Sequence, residues 1–233
     1  MCGRYAQAET EATVMQTFGV QFSEVLLTPR YNVAPSQEVP VIVQESGVRR
    51  LELRRWGLIP SWAKETGKGM INARAETVAE KPSFRNALFR RRCLLPATGF
   101  YEWQKSPEGK QPLFIRLKEN QPMGMAGLWE LWRDPESGQV QRTFTIITVA
   151  ANAFMAPIHQ RMPVILDATA AGCWLDESRK SAEQLLNLLK PCDPESLEAW
   201  PVSKQVNFPR YDAPDCLTRF DPGLAAPRSL SPT

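Results

Sequence analysis

Twenty prolines spread over 233 residues restrict this chain more than any other feature, because each proline fixes φ and removes a backbone donor. They fit many short strands joined by irregular loops. Apolar, β-branched or alternating runs bounded by Pro and Gly occur at 41–43, 51–56, 93–96, 113–117, 123–131 and 144–149. Helical spacing is confined to three places. Thr10 caps a segment that carries Glu11 in its first turn and Val14, Met15 and Phe18 on one face before Gly19. Residues 168–175 and 181–189 follow much later, the second with Leu185, Leu186, Leu188 and Leu189 on one side before Pro191. The expected class is α+β.

A chain of this length buries a sizeable core in one domain. No internal repeat or low-complexity linker divides it, so residues 1–221 are expected to form one unit and 222–233, ending in LAAPRSLSPT, a disordered tail. The start MCGRYAQAETE lacks the basic and apolar regions of a signal peptide, and no apolar run reaches eighteen residues. A cytoplasmic protein without membrane contact is expected. Cys2, Cys93, Cys173, Cys192 and Cys216 are odd in number, scattered and without a CxxC pair, which points to reduced thiols rather than disulfides or a zinc knuckle. With His159 the only histidine, neither a metal nor a cofactor is expected.

The net charge of +3 is too small to signal nucleic acid by itself. Arginines nevertheless crowd 49–55 (Arg49, Arg50, Arg54, Arg55) and 85–92 (Arg85, Arg90, Arg91, Arg92), and Arg4, Arg74 and Arg161 accompany the candidate chemistry. A solvated arginine face accounts equally well for the two clusters.

The candidate chemistry begins at Cys2. Initiator methionine is commonly trimmed before a small residue, and a chain starting at Cys2 carries an amine and a thiol on one residue. Their reference pKa values, about 7.7–8.0 and about 8.5, leave both partly nucleophilic near neutrality. An aldehyde would trap both, giving an imine and then a five-membered thiazolidine that no lysine or internal cysteine can form. In MINARAET, Asn72, Arg74 and Glu76 are in phase on an extended segment, and Asn with Arg suits a phosphate or sugar. In TGFYEWQK, Glu102 lies between Tyr101 and Trp103, where desolvation would raise its pKa; an exposed strand glutamate is the plainer alternative. His159, between Pro157 and Pro163, suits a rigid loop at a strand's entrance. Trp62, in the polar loop 62–69, and Pro35 are candidates for stacking on or wedging between bases.

The set MCGRY, RYNVAP, WGLIPSW, INARAET, TGFYEW and IHQRMPV, in this order from Met1 to Val164, closely resembles the SOS-response-associated peptidase (SRAP) family of abasic-site-processing proteins. PVSKQVN at 201–207 resembles the family's closing strand. The resemblance implies a single domain with a β-barrel-like core flanked by short helices. It also implies a basic channel for single-stranded DNA containing an abasic site, with the mature cysteine at its floor forming a stable crosslink. Matched residue by residue, it assigns Cys2, Asn72, Glu102 and His159 to catalysis. It places Arg4, Arg74 and Arg161 on phosphates and Pro35, Trp62 and Trp103 where DNA is distorted or stacked. Abasic-site lyase and self-processing peptidase activities accompany that expectation, in a monomer whose amino terminus must stay free. Two other classes remain: an N-terminal-nucleophile cysteine peptidase or amidohydrolase, and a non-catalytic single-strand binding module.

Overall fold

A computed structural model describes residues 2–67, 69–106, 109–179 and 181–220. The chain runs through β1 (Tyr5–Gln7), α1 (Glu11–Phe18), β2 (Phe22–Ser23), β3 (Arg30–Val33), β4 (Glu38–Glu45), β5 (Val48–Trp56), β6 (Asn72–Arg74) and α2 (Pro82–Arg90). It continues through β7 (Arg92–Ala97), β8 (Gly99–Ser106), β9 (Gly109–Leu117), β10 (Met123–Arg133), β11 (Val140–Ala150), β12 (Arg161–Pro163) and β13 (Ile165–Leu166). Helices α3 (Ala168–Leu175) and α4 (Ala182–Leu186) precede β14 (Leu197–Pro201).

Five strands close on themselves in the order β11, β10, β7, β4, β5 and back to β11, all antiparallel except the β5–β11 seam. Closure removes the edges that would otherwise template aggregation. The β4–β5 hairpin turns through Ser46 and Gly47, both at positive φ (52° and 79°), the backbone that a two-residue hairpin loop requires. Trp56 fills the barrel, stacked on Phe144 at 6.2 Å and met edge-on by Tyr5 at 5.4 Å. A second antiparallel sheet, ordered β14-β9-β8-β1-β3, has its own small core of Ala6, Tyr101, Phe114, Val202, Val206 and Cys216.

The β-rich middle and the first helix appear where expected, with Thr10 accepting from the Thr13 N–H and Gly19 at φ 62° ending α1. Four expectations need correction. The arginine-rich segment 85–92 is not simply a charged surface: most of it is α2, started by Pro82 at the first helical turn. Arg92 is buried, bonding the carbonyls of Leu88, Trp174 and Asp176, and so satisfies the open ends of α2 and α3. Arg54 is buried too, 4.0 Å from the Trp129 ring and paired with Glu52. The final helix stops at Leu186 rather than 189. The closing strand is 197–201, while Lys204–Asn207 forms a 3-10 turn. The tail expected at 222–233 lies outside the described residues. Among the described residues, no helix is long and apolar enough to cross a membrane.

Candidate active site

β1 holds the amino terminus in place. It pairs with β8 in the register Tyr5↔Phe100 and Ala6↔Gly99, and the Tyr101 N–H donates to the Arg4 carbonyl at 2.9 Å. Continuing that antiparallel register runs residues 2 and 3 alongside Glu102 and Trp103. On its other side β8 approaches β9 so closely that residue 99 must be glycine, since a Cβ there would collide with the Ile115 carbonyl oxygen and the Phe114 ring. Cys2 is fully buried with Met1 still in the chain.

Asn72 reaches Cys2 from the barrel side. β6 lies parallel to β11 with Asn72 opposite Ile146, and Trp56 Nε1 donates to the Ile71 carbonyl at 2.9 Å. Thus the barrel core and its seam together fix Asn72. Its Nδ2 donates to the Cys2 carbonyl at 3.0 Å and to the Ile71 carbonyl at 2.9 Å. Its Oδ1 is buried with no hydrogen-bond partner among the described residues, an acceptor left without a donor.

Glu102 and His159 open on one cleft of about 540 Å³, whose walls also include Trp103, Lys105, Lys110 and Gln160. Glu102 is buried, which removes the exposed-strand alternative. Burial pushes its carboxyl above the usual range, opposed by the positive amino terminus and by His159. Burial first, and then the Glu102 charge, push the Cys2 thiol far up, so it rests as a neutral S–H. His159 sits two residues before β12, as a loop at a strand's entrance. Its Nδ1 accepts from the Arg161 N–H at 2.9 Å and lies 3.1 Å from the Arg161 carbonyl oxygen. One nitrogen therefore has an acceptor and a donor to face, so the ring keeps its hold on residue 161 whether Nδ1 is bare or protonated.

The remaining sequence-derived positions are distributed around this centre. Trp103 lines the cleft, and its Nε1 donates to Asn207 Oδ1 at 2.6 Å. Arg74 is exposed with no ion pair among the described residues, open to a phosphate. Arg161 forks onto Glu76 at 2.6 and 2.9 Å and also donates to the Thr148 carbonyl at 2.6 Å. Arg4 is mostly buried, its Nη1 donating to Asn32 Oδ1 at 2.7 Å and the Val206 carbonyl at 2.6 Å. Trp62 is 65% exposed, whereas Pro35 is half-buried in the turn between β3 and β4. Neither lines the cleft.

Sequence reasoning missed Asn32 and Asp212. Asn32 Nδ2 donates to the carbonyls of Val206, Phe208 and Tyr211, and Asp212 accepts from the Tyr31 and Asn32 N–H groups and from Arg30. Together they pin segment 203–212 beside Arg4 and Trp103. An asparagine inside RYNVAP, surrounded by bulky residues, was the available sign. Among the described residues no three metal-ligating side chains converge, and all five cysteines are free thiols.

Comparison with known proteins matches the sequence to a family. The model for "SOS response associated peptidase (SRAP)" covers residues 1–209. The chain belongs to the SRAP family. Abasic site processing protein YoqW of Bacillus subtilis is 43% identical to this SRAP chain, over 93% of it and 99% of the relative. Abasic site processing protein HMCES of Gallus gallus is 34% identical over 88% of the chain and 70% of its own length. A crystal structure of a protein from Bacteroides thetaiotaomicron superimposes with a TM-score of 0.85 at 30% identity, covering 94% of the SRAP chain and 100% of the other.

Proposed function

We propose that this SRAP protein recognises an abasic site in single-stranded DNA and captures its ring-opened sugar aldehyde in a thiazolidine built from the amine and thiol of Cys2, after loss of Met1. The observation that carries this reading is convergence. Asn72 is bonded to the Cys2 backbone, the Glu102 charge acts on the Cys2 thiol, and Glu102 shares an open cleft with His159. The names of the relatives, processors of abasic sites, supply the substrate class.

The chemistry follows from the protonation states. After Met1 is lost, the Cys2 α-amine attacks the aldehyde carbon, and the thiol on the same residue is placed to follow it and close the ring. Loss of water from the carbinolamine needs a proton donor, and a carboxyl raised by burial, such as Glu102, supplies it. The thiol then adds to the iminium carbon as the Glu102 carboxylate takes its proton; the C=N electron pair returns to nitrogen, which keeps its one hydrogen, and the five-membered ring closes. One water leaves overall. Asn72 Oδ1 accepts from the amine or a sugar hydroxyl and orients it. His159 transfers protons during sugar-ring opening and during the reverse reaction. Without the thiol, the imine would leave β-elimination as a lyase path. The working form is taken to be a cytoplasmic monomer.

The test is intact mass spectrometry of untagged protein incubated with a single-stranded oligonucleotide bearing one abasic site. A gain equal to the DNA minus one water, absent with undamaged DNA and with Cys2→Ser, is expected. Folded, trimmed protein that gives no adduct, or an equally stable adduct from Cys2→Ser, would sink the proposal.

A further inference from the structure

The β8–β9 hairpin carries a charge pattern that folding alone disfavours. Its ladder sets Lys105 directly opposite Lys110, and like charges so placed, with Cβ atoms about 5 Å apart, are destabilising. Both side chains are exposed, and neither forms a salt bridge with a described residue. Both also line the cleft onto which Glu102 and His159 open. Lys105 follows Glu102 on the same strand by three residues, about 10 Å along an extended chain. At that backbone spacing a group held by the two lysines would neighbour, rather than overlap, one held at Glu102.

We infer that Lys105 and Lys110 form a phosphodiester subsite that holds the backbone phosphate flanking the abasic residue. A phosphate between them turns their mutual repulsion into two attractions, which gives a local instability of the free protein a role in the complex. Trp103, on the same wall, faces the adjoining nucleotide. This inference rests on the function proposed above, because it takes the ligand in the cleft to be a nucleic acid strand.

The experiment compares wild type with Lys105→Gln, Lys110→Gln and the double variant, with Lys118→Gln, outside the cleft, as a charge control. Binding of an undamaged single-stranded oligonucleotide is followed against NaCl, and thermal melting is recorded alongside. Each cleft lysine removed is expected to flatten the slope of log affinity against log salt by about 0.7. Between 50 and 200 mM salt the double variant should lose about 7-fold less affinity than wild type. Lys118→Gln should leave the slope unchanged, and the double variant should melt no lower than wild type because the repulsion is gone. Wild-type slopes in both single variants, or an equal flattening by Lys118→Gln, would overturn the subsite. Wild type that crosslinks while all slopes coincide would remove the subsite and leave the function standing. Flattened slopes without any crosslink in wild type would do the reverse.

Discussion

Replacing Asn32 by leucine, close to it in volume, should unfasten the segment that backs the cleft. The buried carboxamide donates to three carbonyls, at 3.2, 3.1 and 2.7 Å, and accepts from Arg4 at 2.7 Å. Two amide hydrogens fully serve only two of the three carbonyls. At about 1 kcal/mol for each neutral bond and about 2 kcal/mol for the bond to the arginine, the loss is about 4 kcal/mol. New apolar burial returns about 1 kcal/mol, for a net of about 3 kcal/mol. With a urea slope of about 3 kcal/mol/M for a chain of this size, the unfolding midpoint should fall by about 1 M. Hydrogen exchange should show residues 203–212 opening before the barrel, and the crosslinking rate should fall as Arg4 and Trp103 lose their backing. A midpoint shift below about 0.3 M, or a full shift with segment 203–212 as protected as before, would refute the reasoning.

Glu102→Gln should stabilise the protein while slowing it. A carboxyl whose folded pKa is raised loses stability as pH climbs from its ordinary value of 4.5 through the raised one. The variant should therefore melt higher at neutral pH, with the gap closing below pH 4.5, and crosslink about 10² to 10⁴ times more slowly; melting scans across pH and a quenched time course check both. Glu76 is held below the usual carboxylate range, chiefly by its bond to Arg161. Glu76→Gln should lose stability in full above pH 4.5 and progressively less as pH falls through the lowered folded value, by no more than about 1 kcal/mol because Glu76 is half-exposed, and should bind single-stranded DNA several-fold tighter as Arg161 is released. Weaker binding in fluorescence anisotropy would contradict that role for Arg161. Trp62→Ala should leave melting unchanged, since the ring is 65% exposed, while weakening DNA binding by about 1–3 kcal/mol if a base stacks there.

The strands were legible because their apolar runs are bounded by turn residues, and α1 because its cap and its stop are both local signals. Helix α2 was hidden. Its Arg85, Arg90 and neighbouring arginines read as a charge cluster, and only the packing of Phe84, Ala87 and Leu88 shows which face is inside. Burial of Arg54 and Arg92 could not be read either, because beside the local Glu52 and Leu88 partners their cover comes from the Trp129 ring and the Trp174 and Asp176 carbonyls, more than seventy residues away. Cys2, Asn72, Glu102 and His159 were nameable as chemistry-bearing types. Their meeting was not, since it depends on the β1–β8 register and on the seam between β6 and β11.

That seam carries a further consequence. β5 ends at Trp56 opposite Phe144, and β6 begins at Asn72 opposite Ile146, so the two behave as one strand with fifteen residues looped out between its halves. Asn72 takes its place from β11, whatever the length of the excursion that bears Trp62. Doubling a loop costs only about 0.6 kcal/mol in closure entropy. Residues 58–59 and 70–71 are tied to the barrel by the Leu58–Met70 bridge, the burial of Leu58 and Ile59 and the Ile71 carbonyl, so evolution can lengthen, shorten or rewrite 61–69, and with it Trp62, while the distance from Asn72 to the Cys2 carbonyl stays as it is. On the function proposed above, the fold separates a replaceable loop from a fixed site on a single edge of its barrel.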